Sequence, residues 1–70
     1  MGFNVFAKYP TDDAWVLIEG GIGKKSMAIN EASDVARKDK VPVRVVMDRE
    51  IRVSGNNGVH RVVELVYEFK

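Results

Sequence analysis

From Val41 to the C-terminus, apolar residues alternate with polar ones on either side of Gly55-Asn56-Asn57-Gly58. Val43, Val45, Met47, Ile51 and Val53 precede that tetrapeptide, and Val63, Leu65, Tyr67 and Phe69 follow it. A period of two puts such residues on one face of a strand, and the Gly-Asn cluster accepts the backbone angles a tight reversal needs. One long β-hairpin follows. A type I turn at Asn56-Asn57, with Gly58 as the left-handed bulge residue, pairs Gly55 with Val59. That register sets Ile51 opposite Val63, Met47 opposite Tyr67 and Val45 opposite Phe69. Asp48-Arg49-Glu50 interrupts the apolar series and predicts a bulge there.

The N-terminal half holds a second hairpin and a helix. Phe3 to Tyr9 is rich in aromatic and β-branched residues, Pro10-Thr11-Asp12-Asp13 reads as a turn, and Trp15-Val16-Leu17-Ile18-Glu19 reads as the returning strand. Gly20-Gly21-Ile22-Gly23 is expected to end it. Beyond it Ala28, Ala32, Val35 and Ala36 fall at helical spacing, with Ser26 as the predicted N-cap. Asp34 and Lys38 are four apart in the favourable order. Pro42 disfavours a helical Val41, so the helix ends earlier. The expected fold class is α+β: a two-layer β-β-α-β-β domain, one helix on a four-stranded, mainly antiparallel sheet, spanning residues 1–70.

Seventy residues bury only a thin core, and such a chain gains from a staple or a partner. It has no cysteine, which removes disulfides and thiolate metal sites. Eleven basic and ten acidic residues leave a net charge of +1, without the basic excess typical of sequence-independent nucleic-acid binding. The start of the chain lacks the pattern of a signal peptide, and no apolar run reaches the ~20 residues that cross a bilayer. These readings lead to an expectation of a cytoplasmic chain without membrane contact.

One helix covers one face of a sheet. The opposite face is expected to carry Phe6, Trp15, Leu17, Val46, Val62 and Val66, an apolar set that calls for a partner. Covering ~400 Å² of it is worth ~10 kcal/mol in area terms, before the entropy of association. The expected role is therefore a non-enzymatic interaction module that forms a homodimer or binds another protein.

Other motifs carry less. Gly20-Gly21-Ile22-Gly23-Lys24-Lys25-Ser26 links a strand to a helix but fails the phosphate-loop pattern in both registers. The lone His60 has no second ligand or nucleophile to recruit it, and the acid pairs Asp12-Asp13 and Asp48-x-Glu50 lack a partner base. No metal, cofactor or catalytic residue is expected. Arg49, Arg52 and Arg61 on the far hairpin, with Lys24 and Lys25 at the helix start, form the alternative: an accessory surface for nucleic acid or another anion. Asp48, Glu50 and Glu64 among them weigh against it.

The Trp15-Val16-Leu17-Ile18 strand, the Ala28/Ala32/Ala36 helix and the strand Val41-Pro42-Val43-Arg44-Val45-Val46 together resemble short uncharacterised bacterial proteins. Those share a Trp-bearing strand, an alanine-spaced helix and a V-R-V-V strand. The resemblance spans roughly residues 3 to 47 and implies the β-β-α-β-β order alone. Glycines stand here where such proteins carry acidic residues before the helix.

Overall fold

The computed structural model describes residues 2–52 and 59–70. Strands β1 (Phe3–Ala7) and β2 (Val16–Ile22) precede helix α1 (Lys25–Asp39), and strands β3 (Val43–Arg52) and β4 (Val59–Phe69) follow it. The strands form one antiparallel sheet in the order β2-β1-β3-β4, so β1 and β3 are central and β2 and β4 are edges. The α+β class, both hairpins and the single helix agree with expectation.

Helix α1 lies chiefly over β1 and β3. Ala28 and Ala32 are fully buried beneath it, against Val5, Ala7, Val43 and Val45, which are also fully buried. Small helical side chains let the backbones approach, and β-branched strand residues fill the space between. Ile22 and Val41 close the ends of this core.

The helix limits differ in detail from expectation. Lys24 is the N-cap and makes no side-chain cap, while Ser26 lies inside the first turn. Asp34 pairs with Arg37 at 2.7 Å, three residues on, rather than with Lys38. Both partners are well exposed, so the pair contributes little. The helix ends before Pro42, with Lys40 in the left-handed region (φ 55°, ψ 48°) and its N–H donated to the Ala36 carbonyl at 2.9 Å. A Cβ is costly in that conformation and glycine removes the cost. Lys40→Gly is expected to raise stability by about 0.5–1 kcal/mol, read as a higher urea midpoint at unchanged slope.

Strand β2 does not stop at the glycines. It runs through Gly20 and Gly21 to Ile22, which pairs with Phe3. Two register irregularities permit this, and Gly21 takes a positive φ of 70°. The Asn4 side chain holds the irregular backbone: its Oδ1 accepts the Gly21 N–H at 3.1 Å, while its Nδ2 donates to Asp48 Oδ2 at 3.3 Å.

The second hairpin forms with a shifted register. Phe69 pairs with Val43, Tyr67 with Val45, Glu64 with Met47 and His60 with Ile51. Val59 pairs with Arg52, not Gly55, and the expected turn at 55–58 lies outside the described residues. The expected bulge at Asp48-Arg49-Glu50 is absent, since each of those residues has a single partner on β4. The irregularity lies instead on β4, where Val66 is the extra residue between the pairs Val45–Tyr67 and Val46–Leu65. One inserted residue exchanges the faces of everything beyond it.

In the loop that joins β1 to β2, the Tyr9 hydroxyl donates to Asp39 Oδ2 at 2.6 Å and ties that loop to the last turn of the helix. This bond, with lesser contributions from burial and the charges of Asp39 and Asp12, raises the Tyr9 phenol above its ordinary value near 10. The neutral phenol is the form that donates. Its contribution is thus fully present below pH ~10 and is lost as pH rises through the higher folded value. In an absorbance titration of phenolate formation, subtracting the Tyr9→Phe curve from the wild-type curve is expected to leave a component with its midpoint above 10.

Candidate functional site

The sheet face turned away from α1 is the candidate site. Its first row is Leu17 on β2, Phe6 on β1, Arg44 on β3 and Glu68 on β4, successive cross-strand partners. Asn4, Val46 and Leu65 form the next row, and Asp48 and Val63 a third. Trp15, just before β2, joins this face: the Arg44 guanidinium carbon lies 4.2 Å from its ring centroid.

The polar members of this face are internally matched. Arg44 Nε donates to Glu68 Oε2 at 2.6 Å while stacking on the indole, so one guanidinium serves a carboxylate and an aromatic ring. Asp48 accepts from Asn4. Between them Phe6, Trp15, Arg44, Val46 and Val63 line a shallow cleft of about 170 Å³. Phe6, Trp15 and Val46 are half-buried, and the Arg44 guanidinium lies over the Trp15 ring. The more exposed apolar side chains stand on the two edge strands: Leu17 at 55%, Leu65 at 57% and Val63 at 64%.

The structure thus brings four expected residues together, Phe6, Trp15, Leu17 and Val46, and moves the other two. Val66 packs against the helix-side core, and Val62 pairs with Arg49 in the helix-side register. Val63 and Leu65, expected to be core, take their places on the open face. The extra residue at Val66 is the physical cause. The alternation around it, Val62-Val63 and Leu65-Val66-Tyr67, is apolar in both phases and so could not signal the exchange. Arg44 was also missed, because its role depends on Trp15 and Glu68, which are distant in sequence.

The basic residues of the alternative surface are dispersed. Arg49 is held by Glu64 at 3.0 Å. Lys24 and Lys25 are exposed at the start of α1. The backbones of Arg52 and Arg61 lie on the part of the β3–β4 hairpin that extends past β1, and their side chains lie outside the description.

A second, open cleft of about 520 Å³ separates the end of β2 from the first turns of α1, lined by Glu19, Gly20, Gly21, Met27, Asn30 and Glu31. Its two carboxylates, Glu19 and Glu31, are both exposed, and no histidine is among the lining residues. Among the described residues no group of three or more His, Asp or Glu side chains is placed to hold a metal. No described helix is long and apolar enough to cross a membrane. No protein-family model matches the chain, and neither a curated protein nor a solved structure gives a match.

Proposed function

We propose that this chain acts by binding rather than by catalysis, and that its partner is a second copy of itself, drawn by the apolar side chains exposed on the open side of the sheet. The supporting observation is the apolar trio Leu17, Val63 and Leu65, each more than half exposed, around half-buried Phe6, Trp15 and Val46. Charge favours a like partner. Arg44 is matched by Glu68, and Asp48 is hydrogen-bonded to Asn4, so the face presents no large single-sign field that would select an acidic or basic ligand.

Light scattering over a dilution series tests the reading. The wild type is expected at twice the chain mass at micromolar concentration, and Leu65→Glu at the chain mass with its circular dichroism retained. A wild type that stays at the chain mass throughout the series, or a folded Leu65→Glu that keeps the doubled mass, removes the proposal.

A second reading, nucleic-acid contact, draws on one feature. The β3–β4 hairpin projects past β1 at the same end of the sheet where β2 leads into Lys24 and Lys25. It requires filter retention of labelled nucleic acid at low salt that declines steeply as salt rises. No retention at low salt eliminates it.

A further inference from the structure

The two edges of the sheet are not equivalent. β2 is paired regularly with β1 only around Phe6–Leu17 and Ala7–Val16 before its irregularities begin, and Gly21 turns its backbone out of extended conformation. Such breaks blunt an edge against further pairing. β4 is an 11-residue strand with one bulge and no proline. Among the described residues its outward-pointing backbone groups have no partner strand in the sheet. A long edge in that state is a template for another strand.

The side chains of β4 specify what kind of strand fits. Val63 and Leu65 are exposed on the open face, and Tyr67, paired with Val45 in the helix-side register, is 46% exposed. Apolar area therefore flanks the edge on both faces, and an added strand covers some of each. The acids of this stretch are already neutralised from β3, Glu64 by Arg49 at 3.0 Å and Glu68 by Arg44 at 2.6 Å. A strand carrying the same acids can then approach without like-charge repulsion. A copy of β4 meets these terms, and antiparallel self-pairing about a two-fold axis closes at two chains, whereas joining β4 to a β2 edge would propagate into an open filament.

We infer that β4 is the seam between copies of this chain: two β4 strands pair antiparallel and join two four-stranded sheets into one of eight strands. The inference rests on the self-association proposed above and adds its geometry. The seam brings Val63 and Leu65 of both copies side by side.

Amide hydrogen exchange read by NMR on the wild-type protein, beside its mass from light scattering, tests the seam. In an antiparallel edge strand about every second N–H is donated inward and the others face solvent. Seam pairing protects both sets, so consecutive amides from Val62 to Leu65, on the regular side of the Val66 bulge, are expected to exchange slowly. The outward set should slow by on the order of 100-fold or more relative to unpaired amides. A doubled mass with only alternate β4 amides protected overturns the seam and leaves self-association standing. A chain mass that never doubles overturns both.

Discussion

Val45→Ala is expected to lower the folding free energy by about 2 kcal/mol and the thermal midpoint by roughly 10 °C. Val45 is fully buried in the middle of β3, between Val5 on β1 and Tyr67 on β4, beneath the helix. Removing its two methyl groups forfeits their transfer energy and leaves a gap that the two strands and the helix close only in part. The loss is large against a total of about 4–10 kcal/mol for a chain of this length. Met27→Ala is the matched control. Met27 sits on the helix but is 57% exposed, so its truncation should shift stability by less than about 0.5 kcal/mol. Urea unfolding of the two variants checks the pair, and equal effects would contradict the placement of the core.

Ala32→Leu is expected to cost about 1–3 kcal/mol, by the opposite mechanism. Ala32 has no exposed surface and faces the strand valines with Ala28 one turn away. Three added carbons have no room unless α1 lifts from β1 and β3, and lifting loosens the contacts of Ala28 as well. The same substitution chemistry at Lys38, exposed in the last turn, should be close to neutral. Urea midpoints of Ala32→Leu and Lys38→Leu read the contrast directly. A neutral Ala32→Leu would mean that the helix stands further from the sheet than the buried alanines imply.

The two substitutions probe the part of the fold that is legible in the sequence. Alanines at helical spacing and valines at strand spacing are local patterns, and each names its own buried face without knowledge of the partner. The candidate site was legible only in part. Phe6, Trp15, Leu17 and Val46 lie on strands whose phase the core valines and alanines define, and they fall on the open face as expected. β4 behaves differently. Its apolar residues occupy both phases, so neither phase is preferred by composition, and the single extra residue at Val66 sets which of them faces the helix.

What the amino-acid sequence determined by itself is the element order, the antiparallel hairpins, the buried helix stripe and the absence of cysteine chemistry. Each of these follows from periodicity, turn chemistry or composition, which act over a few neighbouring residues. The tertiary structure alone decided the strand order β2-β1-β3-β4, the exchange of Val62 and Val66 for Val63 and Leu65, and the joining of Arg44 to Trp15 and Glu68. Those depend on which distant segments meet and in what register, and a bulge or an ion pair costs or gains only about 1 kcal/mol. Energies that small are settled by the packing of the whole sheet, where the Val66 side chain finds the core and the Leu65 side chain is left outside it.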